Sequence, residues 1–284
     1  MNKATPSKQN TFVLIVTYNP DFRLCKSINV VRTIFDNIIV VDNNSVSDVK
    51  LLLKDISLTF IQNEKNLGIA KALNIGAEFA ISHGAEWLLM LDQDTIPRPD
   101  ILSIYESVYL NYPHKEKIGQ IGISFFRNKP IKGIYKNVTT LITSGTLLSL
   151  DAYKVIGAFR NDFFIDCVDF EFSLRIKKNG FVNLQSPIVA IDHRLGFEKN
   201  NKVLFLSFKS SNHPPLRRYF MARNHLVITK LYFFSFPYWV AKKNFFFIKS
   251  LLNIILVDDQ KNDKMKKTLL GLKDGIQNRI TNQL

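Results

Sequence analysis

The chain has 284 residues, 46% of them apolar, and a formal net charge of +14. That apolar share supports a sizeable core and excludes global disorder, and the length fits one large domain with a smaller appendage. Only two cysteines are present, Cys25 and Cys167, and neither belongs to a C-x-x-C pair, which excludes a disulfide scaffold and argues against a zinc site.

The first predicted element is Phe12-Val-Leu-Ile-Val16, a short apolar run with the β-branched character of a buried parallel strand and too short for a signal peptide. It runs into Thr17-Tyr18-Asn19. The second strand, Asn37 to Asp42, ends in Asp42-Asn43-Asn44-Ser45, and the third spans Leu58 to Ile61. Asn63 to Ala70 then leads into a helix over Ala70 to His83. Asn66 and Gly68 let the backbone there approach a ligand at a helix N-terminus, where a phosphate is favoured. The fourth strand, Trp87 to Asp92, opens into Asp92-Gln93-Asp94. Strands alternating with helices predict βαβ units and a mainly parallel sheet, with ligands bound beyond the carboxyl ends of the strands. Tyr18, Asn19, Asp42, Asn44 and Asp92 all fall at those ends.

Three further strands are predicted within Ile118–Phe126, Leu141–Leu150 and Val182–Asp192, and a helix over Val168–Asn179 that stops at Gly180. Beyond about Leu195 the composition turns basic and aromatic, and helices are predicted over Arg217–Lys230, Trp239–Val257 and Met265–Arg279. The expected domains are therefore 1–215, α/β, and 216–284, a helical extension.

The residue types at the strand ends point to specific chemistry. Asp92 and Asp94, at i and i+2 on a loop, form a hard oxygen pair suited to Mg²⁺ or Mn²⁺ shared with substrate phosphates. The same pair would also serve as a plain cap and turn before Pro97-Arg98-Pro99. Asp42 suits a hydrogen bond from the imide N–H of uracil or thymine and Tyr18 a stack on the base, although Asn, Asp and Ser are also common turn formers. Asp166, Asp169 and Glu171 crowd the start of the 168–179 helix. A positioned carboxylate there suits proton abstraction from a hydroxyl; capping and a Glu171–Arg175 pair are the structural alternatives. His193 suits a third metal ligand, a phosphate donor or a core position. The chain contains neither G-x-G-x-x-G nor G-x-x-x-x-G-K-[ST], which argues against a dinucleotide oxidoreductase and a P-loop ATPase.

Taken together, the motifs resemble the family 2 glycosyltransferases of the GT-A fold, nearest their bacterial rhamnosyltransferase-like branch. The resemblance is carried by Thr17-Tyr18-Asn19-Pro20, Asn66-Leu67-Gly68 with Ala72-Leu73-Asn74 and Gly76, Leu91-Asp92-Gln93-Asp94-Thr95, Phe164-Ile165-Asp166 with Val168-Asp169, His193-Arg194-Leu195-Gly196 and Arg218 to Asn224. It covers about Phe12 to Asn224. It implies an α/β Rossmann-like nucleotide-binding domain with a mainly parallel mixed sheet, and an inverting, metal-dependent sugar transfer. Thr17, Tyr18, Asn19, Asp42, Asn44, Asn66, Gly68, Asn74, Asp92 and Gln93 would hold a nucleoside-diphosphate sugar, with Asp92, Asp94 and His193 at the metal. Asp169 maps onto the family's base position. The usual Glu before it is Val168 here, so Asp166 is a rival base. The branch implies dTDP-L-rhamnose as donor and a polyprenyl-diphosphate-linked oligosaccharide as acceptor, in O-antigen or capsular polysaccharide synthesis. UDP-galactofuranose and UDP-hexose transferases share the motifs. A non-catalytic membrane-surface carbohydrate-binding protein is the alternative from another class.

The tail sharpens the expected location. Leu231 to Val257 is rich in Phe but interrupted by Pro237, Lys242, Lys243 and Lys249, so it offers no clean span of about 20 apolar residues. Phe and Leu mixed with Lys suit the anionic inner face of a cell membrane, in the cytoplasm, rather than nucleic acid. Core packing or a homo-oligomer interface are the other uses of such a segment.

Overall fold

The structure, a computed structural model, describes residues 3–125, 133–192, 199–203, 206–210 and 212–279. The chain divides into two compact units, Met1–Asn161 with Phe172–Arg194, and Asp162–Glu171 with Leu195–Leu284. The boundary expected from composition, between 215 and 216, falls inside the second unit, which also takes back the segment Asp162–Glu171.

In the first unit the elements run β1 (Thr11–Thr17), α1 (Arg23–Ile34), β2 (Asn37–Asp42), α2 (Val49–Leu52), β3 (Thr59–Gln62), α3 (Ile69–Ser82), β4 (Trp87–Asp92), β5 (Ile96–Pro97), α4 (Ile101–Asn111), β6 (Ile118–Gly122), β7 (Lys136–Val138), β8 (Thr146–Ser149) and α5 (Leu150–Ile156). Then follow α6 (Val168–Lys178), whose first residues belong to the second unit, β9 (Val182–Gln185) and β10 (Ile191–Asp192). Among the described residues the main sheet has the order β3-β2-β1-β4-β8-β6-β9-β7. β3, β2, β1 and β4 are parallel, and β8 runs against both β4 and β6.

Continuous apolar runs form these strands because both faces are covered. Val13, Leu14 and Ile15 of β1 and Leu88 and Leu89 of β4 have no exposure at all. Helix α3 lies close on β1, since a Cβ on Gly76 would sit 2.3 Å from Leu14 Cδ1. A larger residue at 76 would force the Leu14 side chain to move. The predicted strand over 118–126 is shorter, ending at Gly122. The one over 182–192 splits into β9 and β10 around Pro187, as expected of a residue that cannot donate to the ladder. The strand expected over 141–150 is confined to β8.

The second unit holds the hairpin β11 (Lys199–Val203) and β12 (Leu206–Ser210), then α7 (Pro215–Tyr232), α8 (Pro237–Leu256) and α9 (Lys261–Gln277). α7 packs along α9, where Gly271 lets the Tyr219 carbonyl approach: a Cβ there would be 2.3 Å from it. Asp258 is fully buried between Arg218 Nη2 and Lys264 Nζ, each 3.0 Å from Oδ2. Losing the Asp258 carboxylate would leave two buried cations side by side, which is strongly destabilising. α8 is different: of its side chains, only Val240 and Ile254 are buried.

Candidate active site

In the first unit the parallel strands deliver four polar turns to one sheet edge, and side-chain bonds lock them together. Asp42, 1% exposed, ends β2. Its Oδ1 accepts from Thr17 Oγ1 at 2.7 Å and from Ser45 Oγ at 2.6 Å, and its Oδ2 accepts from the Ser45 N–H at 2.8 Å. Among the described residues no second donor is bonded to Oδ2. Ser45 Oγ also accepts from the Asn19 N–H, and Asn19 Oδ1 accepts from the Val46 N–H, both at 2.8 Å. Asn19 and Asn44 take positive φ, 50° and 64°, which Asn tolerates better than most residues. Tyr18 is left 48% exposed beside them, an open aromatic face.

The Asp92-Gln93-Asp94 loop is tied to the same edge. Gln93 Oε1 accepts from the Tyr18 N–H at 2.8 Å, and Gln93 Nε2 donates to the Tyr18 carbonyl at 3.2 Å. The Asp92 N–H donates to Ser144 Oγ at 3.0 Å. Arg23, buried on α1, donates from Nε to the Asp94 carbonyl at 2.9 Å and from Nη2 to Asp192 Oδ2 at 3.0 Å. Thus backbone and amide groups fix the loop, while Asp92 and Asp94 stay half-buried. Two hard carboxylates held this way fit a divalent cation that completes its shell with phosphate and water. Among the described residues no group of three or more His, Cys, Asp or Glu forms a ready metal cage. His193, the third ligand expected from sequence, lies outside the described residues.

Asn66 Oδ1 accepts from the Gly68 N–H at 2.9 Å, and Gly68, at φ 81°, caps α3. Asn43, absent from the sequence-predicted set, pins this loop to β2: its Oδ1 accepts from Asn63 Nδ2 at 2.8 Å and from the Leu67 N–H at 3.4 Å. Asn74 stands apart from its expected role. Its Nδ2 donates to the Phe159 carbonyl and to Asn161 Oδ1, and its Oδ1 accepts from Tyr153 OH and the Phe159 N–H, all at 2.8–2.9 Å. Both amide hydrogens and both carbonyl lone pairs are used inside the protein, so Asn74 anchors the loop after α5 and has nothing to offer a ligand.

The carboxylates of the α6 start belong to the second unit. Asp166 and Cys167 are consecutive non-glycine residues at φ 63°, a costly backbone that persists only where neighbours enforce it. Here Arg217 grips Asp166 through Nε and Nη2, at 3.0 Å each, and Asn224 Nδ2 donates to the carbonyls of Ile165 at 2.8 Å and Asp166 at 3.0 Å. Arg223 donates to the Asp162 carbonyl, and Tyr232 OH to Glu171 Oε1 at 3.0 Å. These bonds explain why Asp162–Glu171 groups with α7. Burial, helped by the charge of Arg217, lowers the nearby His213 imidazole to about 4. Asp169 lies half-buried in the first turn of α6, with Oδ1 accepting from the Phe170 N–H at 2.8 Å. Arg175, the expected partner of Glu171, donates to the carbonyls of Ile156, Gly157 and Ala158.

Residues 12–111 match the family described as glycosyl transferase family 2. The dTDP-rhamnosyl transferase RfbF of Shigella flexneri is 29% identical over 94% of this chain and 95% of its own length. Over residues 12–111 the chain is thus similar to the family 2 glycosyltransferases. Galactofuranosyltransferase GlfT1 of Mycobacterium tuberculosis is 31% identical over 93 residues, 30% of this chain and 31% of the relative. Among solved structures, S. aureus TarS 1–349 in complex with UDP-GlcNAc superposes with a TM-score of 0.62 at 16% identity, covering 96% of this chain and 82% of that one. GalNAc-T7 with UDP, GalNAc and Mn²⁺ gives 0.59 at 12% identity, covering 95% and 56%. These likenesses place the chain in the GT-A fold, as its sequence motifs suggest, with a helical C-terminal part. No sequence motif marks Arg23 or Ser144 for the roles they take here; for Asn43 and Ser45, the polar run after a strand-end Asp is the only signal.

Proposed function

We propose that this glycosyltransferase moves L-rhamnose from dTDP-L-rhamnose to a lipid-linked oligosaccharide, with inversion at the anomeric carbon, in the assembly of a bacterial surface polysaccharide. The observation that carries the donor assignment is the similarity to a dTDP-rhamnosyl transferase along nearly the whole length of both chains. The residues supply the chemistry as follows. Asp42, through its remaining acceptor direction, takes the imide N–H of the thymine, and Tyr18 stacks on the ring. Asp92 and Asp94 would hold Mg²⁺ or Mn²⁺, which when bound offsets negative charge on the diphosphate. Asp169 accepts the proton of the acceptor hydroxyl. The hydroxyl oxygen forms the new bond to the anomeric carbon as the bond to the diphosphate oxygen breaks, and the nucleoside diphosphate leaves. Asp166 is the weaker candidate for base because Arg217 already occupies both its oxygens.

A panel of sugar nucleotides tests the donor. Release of nucleoside diphosphate is expected at least tenfold faster from dTDP-L-rhamnose than from UDP-galactofuranose or UDP-hexoses, a discrimination of about 1.4 kcal/mol. Faster turnover of UDP-galactofuranose would favour the second reading, which the shorter match to a galactofuranosyltransferase supports.

The acceptor's lipid gives the second unit a role at a membrane surface. Among the described residues no helix is long and apolar enough to cross a membrane. Yet Tyr238, Phe245, Ile248, Leu252 and Ile255 recur at helical spacing on α8 and are all exposed, with Lys242 and Lys249 flanking them. Each Lys near an anionic surface contributes about 1 kcal/mol. Co-sedimentation with phosphatidylglycerol vesicles, but not with neutral ones, is the expected result. Salt and the double substitution Lys242→Glu, Lys249→Glu should weaken it; a protein that ignores anionic vesicles would end the membrane assignment.

A further inference from the structure

Lys243 sits on α8 with its ammonium nitrogen 3.5 Å from the ring centroid of Phe170 and 5.4 Å from that of Trp239. The two rings meet edge to face with centroids 5.8 Å apart. Phe170 directly follows Asp169 in the first turn of α6, so the two aromatics clamp a cation against the turn that carries the proposed base. An aromatic face attracts the ammonium, while burial opposes its charge and pushes Lys243 below the usual lysine range. The largest influence restoring that charge is Asp169, ahead of Cys167.

We propose that Lys243 is a positioning residue for the acceptor-activating carboxylate: clamped between Phe170 and Trp239, its ammonium keeps Asp169 ionised and oriented. The inference rests on the reading of Asp169 as the base.

The other charged and titratable groups around this turn do not substitute for it. Arg217, on α7, is bound bidentately to Asp166. Burial pushes the Cys167 thiol up, so it is neutral at working pH. His225, on α7, stacks on Phe247 with centroids 4.4 Å apart and bonds Asn244 at 2.7 Å. Burial lowers it, and Lys243 lowers it further, so it is neutral at pH 7. His213 is lowered to about 4 and is also neutral there. Glu171 accepts from Tyr232, and Lys242 is exposed.

A positive charge beside a carboxylate favours its ionised form, so removing that charge raises the pH at which Asp169 ionises. The acid limb of kcat/KM should then move to higher pH. The experiment compares pH profiles of nucleoside diphosphate release, pH 5 to 9, for the full chain, Lys243→Met, Lys243→Arg and Asp169→Asn. Met keeps the stem on the rings; Lys243→Gln serves if the Met variant does not fold. Lys243→Met should shift the acid limb up by about one pH unit, a loss of about tenfold below the limb, and should approach the unaltered rate near pH 9. Lys243→Arg should overlay the unaltered profile. An equal loss at every pH, as a merely structural role would give, or an unmoved limb with Asp169→Asn inactive, overturns the proposal for Lys243 alone. Full turnover in Asp169→Asn removes the base reading itself and this inference with it.

Discussion

Asp169→Asn is expected to slow turnover on the order of 10²-fold or more at neutral pH while donor affinity stays within about twofold. The substitution preserves shape and the hydrogen bond that Oδ1 accepts from the Phe170 N–H, so the first turn of α6 should stay as it is. What it removes is the proposed proton acceptor. Affinity for the sugar nucleotide, measured by calorimetry, separates loss of chemistry from loss of binding. The contrast is Asp166→Asn. There the charge facing Arg217 disappears from a turn already held at positive φ, so the expected signature is lower thermal stability with a smaller loss of turnover. An inactive Asp166→Asn beside a near-normal Asp169→Asn would reverse the assignment of the base.

Asp94→Ala should reduce turnover on the order of 10²–10³-fold, as expected when charge stabilisation at a leaving group is removed. The fold should survive, because Arg23 holds the loop through the Asp94 carbonyl, which the substitution keeps. Circular dichroism and thermal midpoints check that. Excess chelator should silence the unaltered enzyme to a similar extent, with activity restored by Mg²⁺ or Mn²⁺. Full activity in chelator would sink the metal role and leave Asp92 and Asp94 as direct contacts to the substrate.

Sequence alone determined the half of this protein whose signals are local and periodic. Continuous apolar runs such as Phe12–Val16 and Trp87–Leu91 have to lie between two covered layers, and their alternation with helical spacing leaves a parallel sheet as the economical arrangement. A carboxylate or amide directly after such a run has to sit at the strand's carboxyl end, so the order of residues is enough to mark Asp42, Asp92 and Asp94 as candidates for the site. The amphipathic character of the 239–257 segment is legible for the same reason.

Tertiary structure alone decided which polar residues hold the frame. Asn74 lies in a motif that resembles a binding element, yet Phe159, Asn161 and Tyr153, from 79 to 87 residues away, use its whole amide. Arg23 belongs to no motif read from the sequence, yet in the structure it grips the Asp94 carbonyl. Asp166 and Asp169 stand three residues apart in the sequence, and in the structure Arg217, some fifty residues on, pairs with Asp166. The second unit's claim on Asp162–Glu171 comes from side chains of α7 bonding its carbonyls and carboxylates. The physical reason is common to all four. A hydrogen bond between a side chain and a distant backbone group has no sequence period, and a polar side chain of one type serves equally as anchor or ligand until its partners are fixed in space.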